Sequence, residues 1–446
     1  IVVDEHLIVV TKQGKLSVAP ASASGYFEKA GLHLFDDLVW APPSFADNKL
    51  YVRSLSELAC VSISSQASET DETTFEIAKF DNSSFVTFIN QLSLSENKGV
   101  LIDEFLNSHT EFPIIENEGI VNFVYRGDYE NLSISSPIIG DRIDRPMINV
   151  NGTDFYYYSA KVPLDARVAY IYYRNFYEPF EDPLNPSGIL KMPNFITPDF
   201  LNTYRGNEVG SFEQVSFSSK ILGKSITLNV YLPSDYSEFK AYPVVYFNDA
   251  DPILETDLVK NALDNLVGSS IEEVVCVFIP SLGTNPVTTY EEYVGSYRER
   301  YAGFLIEELI PMVEEKFSIN DDPYERSLVG YKFSALSTLH TVLKFPNYFK
   351  KIGLLNIWWD KGISDEFKGR LPELKIENFT VYNDWASFAY RSPNEGTDTV
   401  EGARNFARAL KQIGVAAKGR EYNQGGSWQD SIFRLDALLE TLCPMQ

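Results

Sequence analysis

Ser327-Leu328-Val329-Gly330-Tyr331-Lys332-Phe333-Ser334-Ala335-Leu336 reads as a short apolar strand, a tight turn and the first residues of a helix. That order is the context of the nucleophile elbow, whose pattern is G-x-S-x-G. Small residues stand where the turn is crowded: Gly330 two before the apex, Ser334 and Ala335 two and three after it. The apex itself is Lys332, so the scaffold is present and the serine is not.

Working outward, the chain from about residue 210 alternates strands and helices. Strands are expected at 213–220, 225–232, 243–248, 272–279, 325–330, 351–356, 377–383 and 416–423. Helices are expected at 256–267, 299–316, 334–345, 398–413 and 428–441. Such alternation with short connections implies a mostly parallel sheet covered on both faces. Val244-Val245-Tyr246-Phe247 and Val274 to Ile279 are the unbroken apolar runs that doubly covered strands require.

Upstream the pattern is different. Residues 118–186 alternate like strands, notably Val121 to Asp128, Asp154 to Val162 and Val168 to Arg174. Two short helices are expected over 85–92 and 98–108, with Leu101, Ile102 and Phe105 on an apolar face. Residues 64–85 are rich in Ser, Thr, Glu and Asp and read as linker. Residues 1–65 carry short strands punctuated by Gly14, Gly25 and Asp47-Asn48.

Three resemblances follow from these strings. Trp40-Ala41-Pro42-Pro43, followed by Asp47-Asn48-Lys49-Leu50-Tyr51-Val52-Arg53, resembles the closing blade of a PQQ-like β-propeller. That resemblance implies no bound quinone. Phe123-Val124-Tyr125-Arg126-Gly127-Asp128, the Pro163 to Tyr170 string and Asp182-Pro183-Leu184-Asn185-Pro186 resemble the immunoglobulin-like module of enterochelin-esterase-type proteins. Val230-Tyr231-Leu232-Pro233, Tyr242 to Tyr246, Phe304 to Pro311 and Lys344 to Phe349 resemble the esterase D and enterochelin esterase α/β-hydrolases. The expected fold class is therefore multidomain, β plus α/β. Its parts are propeller blade(s) at 1–65, a linker with short helices at 66–117, an immunoglobulin-like β-sandwich at 118–204 and an α/β-hydrolase domain at 205–446.

The resemblance tests the active site residue by residue. Lys332 stands for the serine. The family's histidine follows the last strand in a G-G-H-x-W string, and here Gln424-Gly425-Gly426-Ser427-Trp428 puts Gly426 in its place. Of four histidines only His340 lies in this domain, about 12 Å along the helix from the apex. The acid is expected at Asp384, with Asp398 as the alternative. Main-chain N–H groups of Phe333 and of the loop Asn248-Asp249-Ala250-Asp251 would form the oxyanion hole. Lys332 is expected to pair with a carboxylate, Asp384 first. Asn248, Phe333, Trp358, Trp359 and Trp428 are expected to line the cleft.

Composition narrows the function. The formal charge of -24 opposes nucleic acid, and no apolar run is long enough to span a membrane. Three cysteines and scattered histidines suggest no metal site and no cofactor; Cys60 and Cys276, in apolar runs, are expected to be buried thiols. The start Ile-Val-Val-Asp, with no Met and no signal-peptide pattern, gives an expectation of processing or of further sequence upstream. These readings give an expectation of a non-catalytic pseudo-esterase. It would be a binding or scaffolding subunit, extracytoplasmic by family resemblance, with a protein partner at the propeller end. Two alternatives stand beside it. One is an active carboxylic-ester hydrolase with an unrecognised nucleophile such as Ser334 or Ser337. The other is a carbohydrate-binding protein using the Tyr156-Tyr157-Tyr158 and Tyr170 to Tyr173 runs or the tryptophan cleft.

Overall fold

The computed structural model describes all residues except 4–5, 22–27, 36–37, 47–48, 56, 63–82, 130, 141–144, 176, 205, 207–208, 393–396 and 446. The Asp47-Asn48 turn, Gly25 and most of the acidic linker lie outside the described residues. The chain forms two compact units.

The first unit comprises Ile1–Val162, Tyr170–Gly188 and Arg391–Asp398. Its first residues make two small antiparallel sheets. One orders Val2–Val3, His6–Val10, Lys15–Pro20 and Ala30–His33; the other orders Ser44–Ala46, Lys49–Arg53 and Leu58–Ser62. In Lys49–Arg53 the pattern is strict: Leu50 and Val52 are fully buried, while Lys49, Tyr51 and Arg53 face water. The cores are small, built on Ile8, Leu16 and Leu50 and on Phe35, Val39 and Val52. Cys60 is exposed rather than buried, because it faces outward beside Tyr51 in this pattern.

Helices Ser84–Leu94 and Lys98–Asn107 form as the periodicity implies. Phe85, Phe88, Leu92 and Ile102 pack with Val124, Phe155 and Tyr157 of the following strands. Those strands make two four-stranded antiparallel sheets between Ile114 and Phe180. Tyr156, Tyr157, Tyr170 and Tyr172 are buried. Tyr170 donates to the Asp182 carboxylate at 2.6 Å, and burial pushes that carboxyl up. The tyrosine runs therefore build core, not an open platform for stacking sugars, which removes that footing for a carbohydrate-binding role.

The second unit comprises Pro163–Ala169, Ile189–Tyr390 and Thr399–Gln446. Residues 163–169 and 189–204 thus join the α/β unit rather than the β module in which sequence order had placed them. The reason is pairing, as the sheet shows. Its ten strands are β1 (Arg167–Ala169), β2 (Ile189–Lys191), β3 (Ser211–Ser219), β4 (Lys224–Leu232), β5 (Val244–Phe247), β6 (Val275–Phe278), β7 (Arg326–Tyr331), β8 (Lys351–Leu355), β9 (Thr380–Phe388) and β10 (Glu421–Gly425). They run β2-β1-β10-β9-β8-β7-β5-β6-β4-β3 across the sheet. β1 pairs parallel to β10 and antiparallel to β2. The centre from β10 to β6 is parallel, and β3 and β4 are antiparallel.

Alternation divides each central strand between two cores. Val244 and Tyr246 pack with Leu328, Ile352, Leu336 and Leu339 on one face. Val245 and Phe247 pack with Val329, Leu355, Leu438 and Leu439 on the other. The period-2 geometry of a strand makes this split inevitable once both faces are covered. One expected helix, 299–316, is continuous in direction but contains a π-helical segment at Leu305–Leu309. Pro311 lacks an N–H and cannot close the ordinary i→i−4 bond there. A helix at Pro286–Tyr293 was not expected. Asn285 caps it with Thr288 in a reciprocal box, and Pro286 stands at its first turn.

Candidate active site

The turn after β7 is the centre of the site. Lys332 has φ 48° and ψ -110°, a conformation that L-residues avoid and that costs about 1–3 kcal/mol. Its neighbours hold it there. The Lys332 N–H donates to the Leu355 carbonyl of β8 at 3.0 Å. Ser334 Oγ accepts from the Tyr331 N–H at 2.8 Å and donates to the Tyr331 carbonyl at 2.9 Å. A Cβ on Gly330 would come within 2.3 Å of the Ser334 carbonyl oxygen. Gly330 is required because strand and helix backbones approach this closely. We expect Gly330→Ala to lower unfolding free energy by about 1–3 kcal/mol in urea titrations, the usual cost of forcing atoms into a packed site.

Ser334 and Ser337 are both fully buried. Ser334 is consumed in closing the turn, and Ser337 lies one helical turn further inside. Neither offers an accessible nucleophile.

Helix Phe333–Lys344 begins at Lys332 without a capping side chain. Its first-turn N–H groups therefore keep the anion-favouring character of a helix start. The Lys332 ammonium sits 5.1 Å from the Tyr331 ring centre and bonds to the Tyr331 hydroxyl. That hydroxyl in turn donates to the Gly426 carbonyl. Tyr331 also stacks on Trp428 at 5.3 Å.

Asp249 completes the charged group. It follows β5 with φ 59° and is half-buried. Burial lifts its carboxyl to about 6; Asp251 adds to the rise, while a Ser281 hydrogen bond and the Lys332 charge oppose it. Two opposite charges thus interact beside the elbow in a poorly hydrated setting. The sequence reading placed Asp249 only in the loop expected to supply oxyanion-hole N–H groups, and nothing in its neighbours marked it as a base.

Asp384 lies elsewhere in the network than expected. It is fully buried in the middle of β9, and Arg434 Nε donates to its Oδ2 at 2.8 Å. Tyr382 donates to the same oxygen at 3.0 Å. Arg434 also holds Gln424 Oε1 at 2.8 Å and Ser431 Oγ at 3.0 Å. The expected pairing of Lys332 with Asp384 gives way to this arginine, which reading the sequence missed entirely. Asp398 belongs to the first unit and pairs with Arg391 at 3.6 Å.

Gly426 is glycine for a spatial reason. A Cβ there would lie 2.7 Å from Ala389 Cα and 2.9 Å from its Cβ. A histidine cannot be seated without moving β9 or the loop after β10. Lys332→Ser combined with Gly426→His should therefore gain no ester hydrolysis over the parent and should melt at lower temperature in a thermal scan.

Of the five expected cleft residues, the structure brings two together. Phe333 and Trp358 are half-buried with ring centres 4.9 Å apart. Tyr290 meets Phe333 at 5.4 Å and Tyr390 stacks on Trp358 at 5.9 Å, giving a continuous aromatic strip. Asn248, Trp359 and Trp428 are buried instead. Asn248 accepts from the Tyr301 hydroxyl at 2.7 Å and donates to Thr338 at 3.0 Å, bracing β5 against two helices. Trp359 packs on Phe367 and Phe406. Tyr290 escaped notice because the helix carrying it has little apolar periodicity.

Residues 219–439 match the protein family described as putative esterase. Among curated proteins, an uncharacterized protein YjcH of Bacillus subtilis is 26% identical over 175 residues, covering 39% of this chain and 72% of that protein. An endo-1,4-beta-xylanase/feruloyl esterase of Xylanibacter ruminicola is 30% identical over 159 residues, covering 33% of this chain and 22% of that protein. Among solved structures, ferric enterobactin esterase from Salmonella typhimurium superposes with a TM-score of 0.61 at 17% identity, over 76% of this chain and 98% of that one. That last likeness concerns the fold. The esterase match and the feruloyl esterase relative overturn the expectation of a non-catalytic scaffold, which rested on two lost side chains alone. They favour the alternative of an active ester hydrolase.

Proposed function

We propose that this esterase-like α/β-hydrolase cleaves carboxylic esters at its elbow, with water as the nucleophile. The observation that carries the reading is the strained elbow that puts the Lys332 ammonium at the serine's place, with the half-buried Asp249 close enough for the two charges to act on each other. At neutral pH Asp249 is ionised yet poorly solvated, which suits a general base. It would take a proton from water as the water oxygen adds to the ester carbonyl. The charge gathering on the carbonyl oxygen would be met by Lys332 and by the first N–H groups of helix Phe333–Lys344. Collapse of the adduct expels the alcohol and leaves the acid. This hydrolytic path passes through no acyl-enzyme, so the glycine at 426 is no obstacle to it.

Magnitudes set the expected rate. A positioned base contributes about 10²–10⁴-fold. An oxyanion donor contributes about 10²–10³-fold. The sum falls short of a full triad, so turnover should be slow. The strip Tyr290-Phe333-Trp358-Tyr390 favours esters with an aryl group, since flat rings stack on flat rings. The esterase family match and the feruloyl esterase relative support the reaction class. The sequence strings upstream support reading the sheets of residues 1–62 as propeller blades and those of 114–180 as an immunoglobulin-like sandwich. With them goes an extracytoplasmic address and a protein partner at the blade edges.

The test is a paired assay of the purified chain on aryl and short alkyl esters. Aryl alcohol should be released above the buffer rate, faster than from the alkyl esters. Lys332→Ala should lower the aryl rate by about 10²–10³-fold. Release no faster than in buffer for every ester would overturn the reading.

A further inference from the structure

We infer that Lys332 is also a covalent acyl acceptor, the point at which an activated aryl ester is captured as an amide. The inference rests on the same elbow reading, but not on turnover. Three observations carry it. The strained turn, fixed by the Leu355 carbonyl and Ser334, sets this side chain where a nucleophile elbow presents its attacking atom. The Tyr331 hydroxyl bonds to the ammonium and is itself anchored on the Gly426 carbonyl, so the nitrogen is held rather than sweeping through solvent. Asp249, just after β5, feels the Lys332 charge and is a carboxylate within its electrostatic reach.

A lysine attacks as the neutral amine, and an amide, unlike a serine ester, is not returned by water on the timescale of turnover. The step balances. The ammonium gives one proton to Asp249, the nitrogen adds to the ester carbonyl, the C–O bond breaks, and the alcohol leaves. The nitrogen's second proton goes to the alkoxide, and the product is a neutral amide on Lys332. Charge at the elbow is then lost. Each capture removes the group that meets the oxyanion, so hydrolysis and capture compete and progress curves should decay.

The probe is 4-nitrophenyl acetate, applied to the full chain at mildly alkaline pH and followed by intact-mass and peptide analysis. One acetyl group should appear on the peptide carrying Lys332, at least about tenfold faster than on the exposed Lys361. It should survive hydroxylamine, which strips tyrosine esters at neutral pH and serine esters at alkaline pH, and Lys332→Gln should abolish it. Acetylation spread evenly over surface lysines, or removed by hydroxylamine, would overturn the inference. Nitrophenol release separates the two proposals. Labelling of Lys332 without catalytic release would sink the hydrolase reading and leave this one standing. Sustained release with Lys332 unlabelled would do the reverse.

Discussion

Asp249→Asn should lower aryl-ester hydrolysis by about 10²–10⁴-fold while leaving the fold intact. The amide keeps the size of the side chain and removes the base. The loop should tolerate it, because burial already pushes the Asp249 carboxyl toward its neutral form. Asparagine also accepts the positive φ of 59° at this position more readily than most residues. Circular dichroism and melting temperature should therefore match the parent within a few degrees. The loss should fall mainly on kcat, since the base acts in the transition state and the aromatic strip holds the substrate. Equal rates in parent and variant would remove Asp249 from the mechanism.

Arg434→Met should be the most destabilising single change in the second unit, at about 3–5 kcal/mol. Arg434 and Asp384 have side chains only 2% and 0% exposed, and each is the other's ionic partner. Burial pushes the Asp384 carboxyl up, and Arg434 opposes that push. Removing the arginine strands a buried carboxylate on β9. It also releases Gln424 and Ser431, which flank the Gly426 carbonyl that anchors Tyr331. Arg434→Met combined with Asp384→Leu should recover most of the loss, because replacing both ions avoids the desolvation that their pairing only offsets. Urea denaturation of the parent, both single variants and the double variant measures the coupling. A single variant within about 1 kcal/mol of the parent would show that the pair is not what holds this corner.

Much of this architecture is legible in the chain because local pattern and burial agree. Val244-Val245-Tyr246-Phe247 has no polar residue to turn toward water, so only a strand covered on both faces suits it. Gly330 with Ser334 and Ala335 forecasts the strained elbow, because only small residues let strand and helix approach so closely. What stays hidden depends on distant partners. Arg434 sits in Ile432-Phe433-Arg434-Leu435, where an arginine would ordinarily face solvent; its burial follows from Asp384, fifty residues earlier. Residues 163–169 look like the continuation of the β module, and only pairing with β10 draws them into the α/β sheet. The tyrosine runs carry no mark of which ring faces inward. Gly426 reads as a lost histidine, whereas Ala389 shows a position with no room for one. Two missing triad side chains imply catalytic silence only where a triad is required, and neither Asp249 nor its neighbours carries a local mark of burial beside a cation.

The dependence of aryl-ester hydrolysis on pH tests the central claim most directly. Asp249 works only as the carboxylate, so its proton must leave before it can act. With its carboxyl lifted to about 6, the rate should climb about tenfold per pH unit in the acid range, bend near pH 6 and level off above it. In Asp249→Asn that bend should vanish along with most of the rate. A parent enzyme with no hydrolysis above buffer at any pH, or with a bend near pH 6 that persists in the variant, would contradict the account.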